Sequence, residues 1–207
     1  MTPYGNIAFF VIIGLLLLPT ILLGLRGKSS KRYNLFVSVI VLALIFGHSL
    51  NGTVSLIVFT IFQVVLIVAY QRYRFQQNSG TIFIIAVFLS ILPLVLVKVL
   101  PILGLHHLFG FLGVSYITFK AVQMILETRD GLMKEKISVV ELVYFLLFFP
   151  TVSSGPIDRW RRFTKDFHAV PSSEEYQKLL LSGINYIFVG FLYKFILAYL
   201  IYNYTLI

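Results

Sequence analysis

The chain has 207 residues, of which 58% are hydrophobic, and its mean hydropathy of +0.92 excludes an ordinary soluble domain. One membrane-spanning helix needs about 20 apolar residues, so this composition is sufficient for about six crossings. The formal charge is +9, but the basic residues lie in short clusters between apolar runs, which is typical of membrane topology and not of nucleic-acid binding. The absence of cysteine excludes disulfides, thiolate metal sites and a cysteine nucleophile.

The first apolar run, 7–25, is preceded by no basic residue and is followed by Arg26, Lys28, Lys31 and Arg32. A signal peptide has the opposite order, so we predict a retained span with its carboxyl end in the cytoplasm and the amino terminus outside. Farther along, loops with Arg or Lys alternate with loops that have none. This pattern predicts a single all-α domain, 1–207, that crosses the plasma membrane several times. The crossings are predicted at 7–25, 33–50, 53–70, 81–100, 108–127 and 179–201.

The apolar run 137–150 is interrupted by Glu141 and has only about 14 residues, which is too short for a span. Both of its flanks are basic, so both are expected to face the cytoplasm. We therefore predict a re-entrant segment that enters the membrane and returns. Its irregular backbone requires a protein-lined or water-filled cavity beside it. A polar loop, 151–168, follows and is called the signature loop.

Residues 149–163, which include the first part of the signature loop, combine one carboxylate, three arginines and the only tryptophan of the chain. Pro150, Gly155 and Pro156 prevent a helix from continuing through residues 153–156. Two interpretations stay open. The loop is either an interfacial turn whose arginines bind lipid phosphates, or a cytoplasmic recognition loop whose arginines bind a phosphate or an acidic partner. The candidate binding residues here are Ser153, Ser154, Gly155, Pro156, Asp158, Arg159, Arg161 and Arg162.

A polar stripe runs along the predicted span 108–127, where Tyr116, Lys120 and Gln123 follow i, i+4, i+7 spacing. Ionisable side chains within a span indicate function by default, so these residues are candidates for lining a tunnel. The alternative is that they pack one helix against another. His48 lies at the outer end of the predicted span 33–50 and the other three histidines lie in predicted loops, so the sequence predicts neither a metal site nor a catalytic residue.

Two segments together resemble the membrane-bound O-acyltransferase family. Residues 113–131 read GVSYITFKAVQMILETRDG, and residues 148–163 read FFPTVSSGPIDRWRRF. Within the family, the similarity is to members that transfer D-alanine to lipoteichoic acid in Gram-positive cell walls. The resemblance implies a ring of helices around a thin wall that is pierced by a tunnel. It also implies a donor, D-alanyl-phosphopantetheine, carried as a thioester by a small acidic carrier protein, and a second, membrane-anchored partner, with no cofactor bound by the chain itself.

The active histidine of this family has no counterpart in the 207 residues. We therefore expect the chain to correspond to the amino-terminal half of such an enzyme, with the histidine beyond residue 207, and to be inactive alone. Two alternatives stay open. One is the corresponding half of a polysaccharide O-acetyltransferase of the same family, and the other is a non-enzymatic transport or scaffold subunit.

Overall fold

A computed structural model describes residues 7–104, 111–133, 135–152, 155 and 157–205. These residues contain helices and no strand, so the all-α prediction is confirmed. In chain order the helices are α1 (Ile7–Leu25), α2 (Lys31–Phe46), α3 (Leu50–Gln76), α4 (Gly80–Val99), α5 (Val114–Arg129), α6 (Val139–Leu146), α7 (Phe149–Val152), α8 (Trp160–His168), α9 (Ser173–Phe191) and, after a π-helical segment (Leu192–Leu197), α10 (Ala198–Thr205).

Among the described residues, four stretches are long and apolar enough to cross a membrane: α1, α3, α4 and the continuous rod from α9 to α10. Helices α2 and α5 coincide with the other two predicted crossings but have only 16 residues each. That is less than the roughly 20 residues that a crossing usually takes. The count of six crossings and the outer position of the amino terminus stay predictions.

The loops that carry the basic clusters lie at one end of the bundle. Ser173, which begins α9, donates a 2.6 Å hydrogen bond to the carbonyl of Leu25 at the end of α1. Arg74, near the end of α3, donates two hydrogen bonds of 3.0 and 3.1 Å to the carbonyl of Arg129 at the end of α5. We call this end, where α1, α3 and α5 finish and α2 and α9 begin, the basic end. This clustering of the basic loops at one end agrees with the alternation of basic and uncharged loops in the sequence.

Helices α3 and α5 are the centre of the packing: α3 contacts α2, α4, α5 and α6, and α5 contacts α3, α4, α6 and α7. In α5, the side chains that face this core include three fully buried residues, Ile117, Ala121 and Met124. Next to it, α3 and α4 are joined by a buried polar pair: the Gln63 amide donates to the Ser90 carbonyl, and the Ser90 hydroxyl donates to the Gln63 side-chain oxygen, both at 2.9 Å. By contrast, none of the described side chains of α9, the π-helical segment and α10 is buried.

The predicted re-entrant segment 137–150 forms two short helices, α6 and α7. Eight helical residues rise about 12 Å, far less than the hydrocarbon thickness of about 30 Å, so α6 cannot cross. The signature loop, 151–168, contains helical residues at both of its ends. Helix α7 extends to Val152, and α8 begins at Trp160, because apolar residues at positions 160, 163 and 167 have helical spacing and no Pro or Gly interrupts them.

Candidate functional site

The ammonium group of Lys120 is completely buried where α5 meets α6 and α7. It donates to the carbonyls of Phe145 and Leu146, at 2.9 and 3.4 Å, and to the Thr151 hydroxyl at 2.6 Å. The two carbonyls belong to the last turn of α6, where a helix has no backbone donors left for them. A cation at this position also complements the negative end of the helix dipole. Lys120 therefore caps α6 and holds α7, which leads into the signature loop, against α5.

The other members of the predicted stripe, Tyr116 and Gln123, are partly buried on α5. The structure adds a residue that the sequence analysis did not select. Glu127 is only 7% exposed and accepts a 3.1 Å hydrogen bond from the Gln123 amide. It lies four residues after Gln123, so the same helical spacing could have found it. Among the described residues, neither the second Glu127 oxygen nor the Gln123 side-chain oxygen has a hydrogen-bond partner.

The charged part of the signature loop is organised by Asp158. One of its oxygens accepts hydrogen bonds from the backbone N–H of Arg159 and from the side chain of Arg162, both at 2.7 Å. The Arg162 side chain is 65% exposed, so this ion pair contributes about 1 kcal/mol or less to stability. Gly155 lies close to the carbonyl of Pro150. The predicted residues Ser153, Ser154 and Pro156 lie outside the described part of the chain.

Helix α8 is amphipathic and packs its aromatic side onto α6. Trp160 and Phe163 contact the Phe145 ring edge-on, with ring centroids 5.4 and 5.1 Å apart. Phe167 packs against Tyr144 at 5.1 Å. Phe145 therefore links the two features, because its ring supports α8 while its carbonyl accepts from Lys120. The aromatic contacts fix which residues of α8 face outward.

The outward basic residues of α8 point in two directions. Arg161 and Lys165, one turn apart, border a cavity of about 520 Å³ between α8 and residues 132, 133 and 135–138. Arg162 lies beside Asp158 and does not border the cavity. The sequence grouped the three predicted arginines together, whereas the structure separates Arg161 from Arg162.

A second polar cluster joins three elements at the basic end. Lys31 of α2 and His168 of α8 meet Glu141 of α6: Lys31 Nζ lies 3.2 Å from His168 Nδ1, and His168 Nε2 lies 3.2 Å from Glu141 Oε1. The ammonium group can only donate, so Nδ1 accepts and Nε2 carries the proton that faces Glu141. Lys31 also lies 3.6 Å from the same Glu141 oxygen. This cluster fastens α8 and α6 to the start of α2.

No family model matches the chain, but three related proteins with one shared name do. It is 55% identical to a teichoic acid D-alanyltransferase of Bacillus subtilis, over 99% of this chain and 53% of that protein. Proteins of the same name from Streptococcus thermophilus and Lacticaseibacillus rhamnosus are 42% and 41% identical, over 96% and 97% of this chain and 48% and 50% of theirs. The chain spans about half the length of the curated relatives it matches. Nearly all of this chain is therefore homologous to about half of proteins named teichoic acid D-alanyltransferase.

Proposed function

We propose that the chain is the amino-terminal part of a DltB-like membrane-bound O-acyltransferase that transfers D-alanine toward lipoteichoic acid. The observation that carries this proposal is the 55% identity, over 99% of the chain, to a relative named for that activity. The all-α bundle with four apolar helices of spanning length supports a multi-pass position in the plasma membrane. In this proposal the amino terminus lies outside and the basic end faces the cytoplasm.

The donor in this proposal is D-alanyl-phosphopantetheine on an acidic, DltC-like carrier protein that docks at the basic end. Arg159, which precedes α8, and Arg162, in the first turn of α8, are both exposed, and they suit an acidic surface. Arg161 borders the cavity instead. A DltD-like membrane protein and teichoic acid are the further partner and the acceptor.

The chemistry itself needs a general base for the acceptor hydroxyl. No histidine is buried among the residues that the structure describes. We therefore place the base in the part of the protein that corresponds to the other half of the relatives' length. What this chain contributes is the support of the signature loop: Lys120 and Phe145 hold α6, α7 and α8 in fixed relation to α5.

Reversing the charges of Arg159 and Arg162 tests the carrier surface. We expect the double variant Arg159→Glu, Arg162→Glu to raise the carrier concentration for half-maximal transfer about tenfold or more, because interfacial charges act mainly on encounter. The measurement is transfer of labelled D-alanine from the loaded carrier, in membranes with a chimera in which residues 1–207 replace the aligned residues of the Bacillus subtilis relative.

The matched control is Arg26→Glu, Arg32→Glu, which changes the charge of the basic end equally at two exposed positions. It is expected to leave that concentration near the wild-type value. An equal effect in both variants would mean that the overall charge of the basic end attracts the carrier, and that Arg159 and Arg162 do not form a specific docking surface. Efficient transfer from acetyl-coenzyme A, with none from the carrier, would favour the O-acetyltransferase alternative.

A further inference from the structure

The cavity beside α8 has an excess of positive charge. Lys136, Arg161 and Lys165 line it, and none of the three forms a salt bridge with a described residue. Of the two carboxylates in its wall, Glu141 is engaged by Lys31 and His168, whereas Glu135 is exposed. The wall therefore has three cations and one available carboxylate. Its net charge is positive, which favours the binding of an anion.

The cavity also has an apolar side. Leu132, Ile137 and Trp160 contribute to its wall. Directly after it along the chain, Val139 and Val140 are 51% and 68% exposed on α6. An anionic group that binds among the cations would therefore have an apolar surface within reach for an attached hydrocarbon chain.

We propose that this cavity binds the phosphodiester headgroup of an anionic phospholipid, with Lys136, Arg161 and Lys165 as the cationic contacts. A phospholipid joins a phosphate to acyl chains, which matches cations next to exposed aliphatic residues. A volume of about 520 Å³ suits a headgroup, whereas a protein partner needs a broad surface. The proposed lipid site does not depend on the acyl transfer proposed above. In this site, Arg161 contacts the lipid.

The chain has a built-in probe for the test. Trp160 is its only tryptophan, lines the cavity and is 7% exposed. The protein is placed in phosphatidylcholine nanodiscs that contain increasing fractions of phosphatidylglycerol brominated near the headgroup end of its acyl chains. Quenching of Trp160 is compared with that by phosphatidylcholine brominated at the same position. We expect half-maximal quenching at a fraction of the anionic lipid that is lower by a factor of about ten to a hundred. Each basic residue near a membrane surface contributes about 1 kcal/mol, or about fivefold, and three such residues act together.

The decisive variant is Lys136→Gln, Arg161→Gln, Lys165→Gln, which is expected to abolish the preference for the anionic lipid. The control Arg26→Gln, Lys28→Gln, Arg32→Gln removes the same charge from exposed positions at the same end and is expected to keep it. Far-UV circular dichroism checks the fold of both. If the triple variant loses helicity, the single variant Arg161→Gln is expected to weaken the preference by about fivefold.

Three results would overturn the proposal. The first is equal quenching of the wild-type protein by the two lipids, and the second is an unchanged preference in the cavity variants. The third concerns the phosphate of the donor arm: soluble phosphopantetheine, a phosphate monoester, is added to nanodiscs without anionic lipid. A saturable change in Trp160 fluorescence that the cavity variants abolish, without any lipid preference, would assign the cavity to the donor arm. Loss of D-alanyl transfer in the chimera would instead refute only the proposed function.

Discussion

Replacement of Lys120 by methionine is expected to lower the free energy of unfolding by about 3–5 kcal/mol, because it leaves buried carbonyls without a donor. Methionine fills a similar volume but cannot donate to Phe145 and Leu146 at the end of α6. Unfolding of the purified protein in mixed micelles, followed by circular dichroism, measures the loss. The control is Lys98→Met in α4, where the side chain is exposed, and its expected change is within about 0.5 kcal/mol.

A second substitution, at the residue whose hydroxyl accepts from Lys120, makes this test more specific. Thr151→Val removes the hydroxyl that accepts from Lys120 at 2.6 Å. Residues in direct contact are expected to couple, so the double variant should be less destabilised than the sum of the single variants by about 1 kcal/mol or more. Additive losses, or a loss below about 1 kcal/mol for Lys120→Met, would contradict the role of Lys120 as the cap of α6.

The second large effect is expected at Gly113, the residue before α5. Its backbone has φ = +93°, and a methyl group there would overlap the carbonyl oxygen of Val152 at the end of α7. We expect Gly113→Ala to cost about 3 kcal/mol, since the left-handed conformation and the steric overlap each contribute 1–2 kcal/mol. The same unfolding measurement applies.

Gly131 provides a matched control, because it also has a positive φ, +71°, but nothing lies within 4 Å of a methyl group added there. Gly131→Ala should therefore show the conformational cost alone, about 1–2 kcal/mol. Equal losses at the two positions would mean that the contact between Gly113 and Val152 does not hold α5 against α7. A larger loss at Gly113 supports the close approach that positions the signature loop.

The features that follow from composition and local periodicity were predictable from the sequence. Alternating loop charge predicted that the basic loops share one end, and the contact between Arg74 and Arg129 shows that two of them do. The stripe of Tyr116, Lys120 and Gln123 was derived from helical spacing and indicates one face of α5. It left open what that face contacts, because helical spacing identifies a face of a helix but not the neighbour against which the face packs.

Contacts between distant parts of the chain were not predictable. Lys31 and His168 are 137 positions apart, and no local pattern links them to each other or to Glu141. The different directions of Arg161 and Arg162 on α8 were not predictable, for a related reason. The polar composition of 160–168 predicts a loop. Only the aromatic contacts with α6 determine that Arg161 faces the cavity while Arg162 lies beside Asp158.

The central claim is that these residues serve as the first part of a teichoic acid D-alanyltransferase, and complementation tests it most directly. A Bacillus subtilis strain that lacks its own transferase receives the chimera with residues 1–207, and D-alanine esters are measured per teichoic acid phosphate. At 55% identity we predict that the chimera restores esterification, whereas residues 1–207 alone do not. Teichoic acid without esters, in cells whose membranes contain the chimera at wild-type abundance, would contradict the claim.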